Sequence, residues 1–271
     1  MKRMACALVR RPSSAHRLMY EPLHKLKYAF FATYFDQTCI TLVRLVKEKG
    51  AKRVGTLYQD DDFGLEILRG ADAGLKALAM EMTEKTTYKR GATDFSSQMA
   101  RLKAGNCDLV VLGTVIRETV GSMTEARKIG FNPTFMGAVS TYSELIPKLG
   151  GKAVDGLYSA MATQIPYIDE ASQPIRFWAN KYKTKFSEEP TVYSAYGYNI
   201  IDTFAKAAHK AGPNLSTDAF IKAMDSMVVP PDIFGSPEAS YTATKRLGSD
   251  ASRLSQLVDG RWKVVSEYIK P

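Results

Sequence analysis

The segment Val54-Gly55-Thr56-Leu57-Tyr58-Gln59-Asp60-Asp61-Asp62-Phe63-Gly64 decides the fold. A short apolar run gives way to a polar loop, after which Leu65, Leu68, Ala71, Leu75 and Leu78 recur at helical spacing. The order is strand, loop, helix, and it returns downstream. Asp94 stands as a cap before a helix carrying Phe95, Met99 and Leu102, and Asp108-Leu109-Val110-Val111-Leu112-Gly113 reads as a strand. Thr119 to Ile129 reads as the next helix, and Thr134-Phe135-Met136-Gly137 as another strand. Near-continuous apolar strands alternating with amphipathic helices predict an α/β fold with a parallel sheet covered on both faces.

Such a sheet binds ligands at the carboxyl ends of its strands, which directs attention to Tyr58–Gly64, Gly113–Glu118 and Gly137–Ser143. None of these loops carries GxGxxG, GxxxxGK[ST] or GxSxG, so the dinucleotide, phosphate-loop and hydrolase readings lose their usual support. A binding module is favoured over an enzyme. The one acidic cluster, Asp60-Asp61-Asp62, precedes a helix start, where carboxylates complement the dipole, and it reads as a cap rather than a magnesium site.

Thr38 to Lys49 is helical and ends at Gly50, and Gly156 to Met161 is a strand. Gln164–Gln173 has linker composition. Ile175–Phe186 and Ala195–Ala211 are amphipathic helices, the second closed by Gly212-Pro213, and Ser216 with Asp218 caps a short helix through Met224. Two strand-like runs flank Asp259-Gly260 between Leu254 and Ser266, a hairpin signal.

The formal net charge of the 271 residues is +9, but residues 1–27 hold seven basic residues against Glu21 alone. The basicity is therefore that of a leader, read as disordered or non-native, and it gives no ground for nucleic-acid binding. Met4–Val9 is too short an apolar run for an export signal and is stopped by Arg10-Arg11. No run of about 18 apolar residues suggests a membrane span. Cys6, Cys39 and Cys107 lack metal spacing and read as isolated thiols.

Several segments carry a resemblance: Lys52–Tyr58 with Asp62-Phe63-Gly64, Tyr88–Ser96, Leu102–Asp108, Ala126–Gly130 and Ala195-Tyr196-Gly197-Tyr198-Asn199. In order and spacing they resemble type 1 periplasmic binding proteins, specifically the branched-chain amino-acid (Leu/Ile/Val) substrate-binding subunits of ABC importers. The resemblance runs from about Tyr28 to the C-terminus. It implies two Rossmann-like lobes with parallel sheets and hinge crossings, one lobe incomplete because its first half has no counterpart. Residues 28–163 and 240–271 would form the carboxy-terminal lobe, with the first crossing near Tyr28–Gln37. Residues 164–239 would be the remnant of the amino-terminal lobe, whose helices should expose apolar faces.

The resemblance also implies a periplasmic, monomeric, non-enzymatic protein without cofactor or metal that takes a small carboxylated solute between its lobes and passes it to a membrane permease. Phe63 matches a position that packs on the ligand, Thr114, Val115, Ile116 and Arg117 a loop that reaches it, and Arg117 is a potential carboxylate clamp. Val139, with Ser140, stands where amino-acid binders of the family place an acid for the ligand's ammonium; Glu118 and Glu144 are the alternative acceptors. Tyr193 and Ala195 match a cleft-facing helix start, where Ala195 would leave room for a bulky ligand. A regulatory ligand sensor of the same fold is the competing reading.

Overall fold

Nine strands occur among residues 28–271, the part of the chain that the computed structural model describes. They are β1 (Val54–Gln59), β2 (Glu84–Tyr88), β3 (Leu109–Gly113), β4 (Thr134–Gly137), β5 (Tyr158–Met161), β6 (Val228–Val229), β7 (Ala239–Ser240), β8 (Arg253–Val258) and β9 (Arg261–Val264). The helices are α1 (Tyr34–Lys49), α2 (Asp62–Ala77), α3 (Ser96–Ala104), α4 (Ile116–Lys128), α5 (Leu145–Gly150), α6 (Gln173–Phe186), α7 (Val192–Ala211) and α8 (Thr217–Met224). The readings of residues 1–27 lie outside the described residues.

The main sheet has the order β2-β1-β3-β4-β5-β8-β9; β1 to β5 are parallel, and β8 and β9 antiparallel. Because β1 pairs with both β2 and β3, the strand order reverses there, and a crevice opens beyond the carboxyl ends of β1 and β3. The hairpin turns through Asp259 and Gly260, both at positive φ (53° and 74°), as a tight two-residue turn requires. Trp262 anchors it by donating from Nε1 to Ser143 O at 2.9 Å.

β2 was not legible as a strand, because Glu84-Lys85-Thr86-Thr87-Tyr88 has no apolar run. It lies at the sheet edge with Thr86 and Tyr88 buried, and its charges pair outward, Glu84 with Arg101 and Lys85 with Asp72.

The core of the sheet's first half comprises Leu42, Leu45, Val54, Ile67, Leu75, Leu109, Val111 and Met136, all nearly inaccessible. Each such side chain contributes about 1.5–3 kcal/mol by leaving water. The buried face of α2 is wider than its leucine spacing suggests. Gly70 and Gly74 face α1, where a Cβ at Gly70 would come within 2.5 Å of Phe35 O and one at Gly74 within 3.0 Å of Cys39 O. α2 is thus packed against both the sheet and α1, and glycine allows the second contact. α1 begins at Tyr34, earlier than its apolar pattern indicates, since the Thr33 side chain accepts from Asp36 N as an N-cap.

By their contacts the described residues form two units: Ala32–Met161 with Asp250–Pro271, and residues 28–31 with Ala162–Ser249. Residues 240–249 fall in the second unit, whereas the sequence reading grouped them with the first. The reason is local pairing: β7 pairs with β6, Ser240 N donates to Gly248 O, and Leu247 bridges to Ala29. This smaller unit is held partly by a partly buried ion pair between Arg246 and Asp225, with Tyr28 bonded to both. Among the described residues no helix is long and apolar enough to cross a membrane.

The reading of isolated thiols fails for Cys39, which is disulfide-bonded. It holds for Cys107, free and buried, whose thiol burial pushes up to about 11. Two measurements check these points. Gly70→Ala gains helix propensity of up to about 1 kcal/mol, but the 2.5 Å clash should outweigh it and leave the protein about 1–3 kcal/mol less stable in urea unfolding. Cys107 should resist a thiol reagent near neutral pH in the native protein and react once it is unfolded.

Candidate ligand-binding site at the carboxyl ends of the strands

Asp61 starts α2 as its N-cap, its Oδ1 accepting from Gly64 N at 3.1 Å, which gives part of the acidic cluster a structural role. The turn sets Phe63 half-buried beside β1, edge-on to Tyr34 with ring centroids 5.1 Å apart. Beyond β3, Thr114 is fully buried and shares a 2.6 Å hydrogen bond with Thr119 Oγ1. The sequence reading placed Val115, Ile116 and Arg117 on a loop; in fact Val115 is the N-cap of α4, and Ile116 and Arg117 form its first turn. Arg117 is exposed, and no ion pair joins it to Glu118. Glu118 is buried, and no hydrogen-bond partner reaches its Oε2 among the described residues.

After β4, Val139 and Ser140 enter a short 3-10 turn. Ser140 Oγ donates to Thr114 O at 3.0 Å, tying this turn to the end of β3. Val139 N donates to Gln37 Oε1 at 3.0 Å, and Gln37 Nε2 donates to Ala32 O at 2.6 Å. Phe63, Thr114, Val139 and Ser140 therefore belong to one connected set: Phe63 on Tyr34, Tyr34 on the helix of Gln37, Gln37 on Val139, Ser140 on Thr114. Glu144 precedes α5, and its Oε2 is also buried with no partner among the described residues.

Sequence reasoning missed Gln37 and the Tyr88 network. A glutamine in the first turn of a helix has no pattern that marks it as a clamp on a loop a hundred residues away. Tyr88 donates to Gly113 O at 3.2 Å and lies 3.4 Å from Gln59 Oε1, bracing the ends of β1 and β3. Its burial, with the nearby Glu118 and Asp61 carboxylates, holds the phenol well above its usual range.

Tyr193 and Ala195 lie on α7 in the smaller unit. Tyr193 is exposed, whereas Ala195 has no accessible surface and packs with Ile175 and Phe234. Its small size serves the approach of α6 to α7, so the space it was expected to leave for a ligand is filled by Phe234.

Residues 20–261 match the family described as periplasmic binding protein. The chain belongs to that family. A Brucella abortus Leu/Ile/Val-binding protein homolog 8 is 22% identical over 190 residues, covering 69% of this chain and 47% of the relative. The chain thus spans about half the length of the curated relatives it first matches. Among solved structures, a branched-chain amino acid ABC transporter protein from Thermus thermophilus with bound valine superposes with TM-score 0.82 at 17% identity. It covers 94% of this chain and 70% of its own. A fatty acid ABC transporter substrate-binding protein from Thermomonospora curvata gives TM-score 0.77 at 20% identity, covering 91% of this chain and 67% of its own. At these identities the likeness establishes the α/β fold, that of type 1 periplasmic binding proteins.

In this periplasmic binding protein, Gln37→Leu should expose the clamp's contribution. It leaves Val139 N and Ala32 O without partners, and urea unfolding should show a loss of about 1–3 kcal/mol. Gln37→Glu keeps the acceptor for Val139 N but sets a buried carboxylate against Ala32 O, so it should not recover the loss at neutral pH.

Proposed function

We propose that the protein is the solute-binding subunit of a branched-chain amino-acid-type ABC importer. In this reading it works in the periplasm, captures a small carboxylated solute and delivers it to the membrane permease. The observation that supports this most is the connected set at the switch of the sheet, from Phe63 through Gln37 and Val139 to Ser140 and Thr114. It is made of an aromatic ring, hydroxyls and backbone groups, which suits holding a solute rather than transforming it. Membership of a family of solute-binding proteins agrees with it.

The ligand we infer is a carboxylate without an α-ammonium group. Val139 offers no side-chain acceptor, and its backbone N–H is committed to Gln37. The exposed guanidinium of Arg117 supplies a positive charge suited to a carboxylate. A second reading, an amino acid, is favoured by the unpartnered Oε2 atoms of Glu118 and Glu144, either of which could take an ammonium after a side-chain rotation.

Leucine and 4-methylpentanoate share a carbon skeleton and differ in the ammonium, which makes them the test pair. Calorimetry or thermal shift on the 271-residue chain should show the acid binding at least tenfold more tightly, a difference of about 1.4 kcal/mol. Titrations should extend to tens of millimolar ligand, so that affinities down to the millimolar range, about −4 kcal/mol, are captured. Val139→Glu should weaken the acid further by like-charge repulsion. A preference for leucine that Glu118→Gln or Glu144→Gln removes would establish the second reading, and saturation by neither compound, nor by other small carboxylates, would refute solute binding by this chain.

A further inference from the structure

The chain contains two Asp-Gly steps, Asp155-Gly156 and Asp259-Gly260, and no Asn-Gly. An aspartate before glycine can close a ring on the next peptide nitrogen, because glycine has no side chain to shield that nitrogen. The two steps meet in the larger unit, yet they are held differently. Gly156 N donates to Leu257 O at 2.8 Å, which ties it to β8, and Asp155 is half-buried. Gly260 N donates to Asp155 Oδ1 at 3.4 Å, a long and therefore weak bond. Asp259 and Gly260 are both exposed, and there is open space where a Cβ on Gly260 would stand. Asp259 is also one of four non-glycine residues at positive φ, a conformation that aspartate tolerates at some cost.

We propose that Asp259 is a site of spontaneous covalent modification, converting to isoaspartate in the folded protein while Asp155 is protected. Gly260 N attacks Asp259 Cγ; the N–Cγ bond forms, and the amide proton leaves with a carboxyl oxygen and its proton as one water. Water then opens the resulting succinimide. Opening at Cγ restores aspartate, and opening at the α-carbonyl leaves the main chain running through Cβ and Cγ, with a free α-carboxylate. No oxidant, reductant or co-reactant other than water takes part. The product adds a methylene to the backbone of a two-residue turn, whose length fixes the pairing of Val258 with Arg261 and Leu257 with Trp262. Trp262 carries the consequence inward, since its indole bonds Ser143 O and its ring lies 5.1 Å from that of Tyr142. Modification at the exposed turn therefore loosens β9 and its anchor. This inference is independent of which solute the larger unit binds.

The test is to age the full chain, folded and at neutral pH, in heavy-oxygen water and then to digest it with trypsin in ordinary water. Cleavage after Lys152, Arg176, Arg253 and Arg261 puts the two aspartates on separate peptides, 153–176 and 254–261. Peptide 254–261 should take up one heavy oxygen and split into two forms of equal mass, while peptide 153–176 stays unlabelled. In denaturant, where Gly156 N is released from Leu257 O, both peptides should take up label. Asp155→Ala removes the acceptor of Gly260 N and should speed labelling at Asp259 about two- to fivefold, the lower part of what one hydrogen bond's net contribution converts to. Hydrogen exchange gives the consequence: Arg261–Val264 should lose protection as wild type ages, and Asp259→Gly, which keeps the positive φ without a carboxyl, should hold it. If Asp155→Ala fails to fold, the two wild-type peptides still decide. Equal labelling of both in the folded chain, labelling at Asp155 alone, no labelling at Asp259, or an isomerised fraction with β9 fully protected would each overturn the proposal.

Discussion

The parallel pairing of β1 with strands on both sides is the constraint from which the larger unit follows. A central strand flanked by β2 and β3 must be apolar on both faces, and Val54 and Leu57 are wholly buried. Parallel neighbours require crossover connections, which α2 and α3 supply on the two sides of the reversal. The reversal then fixes where the polypeptide leaves a crevice. Every candidate ligand-facing residue of the larger unit lies on a segment following β1, β3 or β4, because those are the chain segments that the pairing delivers to that end of the sheet.

Close approach is the second constraint, and it acts through small residues. α2 touches α1 through Gly70 and Gly74, and α6 approaches α7 at Ala195. The first contact stabilises the start of α1, where Glu66 accepts from Phe35 N deep in the interior; burial raises the carboxyl's pKa there, against the opposing effect of that hydrogen bond. The same helix start carries Gln37. The helix packing of the larger unit and the posture of the Val139 turn are thus mechanically one arrangement.

Much of this was legible in the chain. The runs Val54–Tyr58, Leu109–Gly113 and Thr134–Gly137 are apolar because both their faces are covered, and that is the pattern periodicity detects best. Asp259-Gly260 announces its turn because two consecutive positive φ values leave few other choices of residue. β2 escaped because an edge strand needs only alternate burial, which Thr86 and Tyr88 satisfy without an apolar run. Ala195 misled for a related reason: a small residue in a helix says that something comes close, but not whether that something is a ligand or Phe234. Glu118 and Glu144 carry spacing that looks solvated, and only three dimensions reveal their buried oxygens.

The antiparallel end of the sheet has a consequence in time. β5 ends at Met161, yet its second neighbour, β8, begins at Arg253, after the whole smaller unit has been traversed. A ribosome releasing this chain would expose one bare edge of β5 throughout the synthesis of those intervening residues, a template for mispairing with any extended strand nearby. Closure by so distant a segment also raises contact order and slows the last step of folding. The hairpin anchored by Trp262 is therefore the element that covers the bare edge of β5 and finishes the sheet.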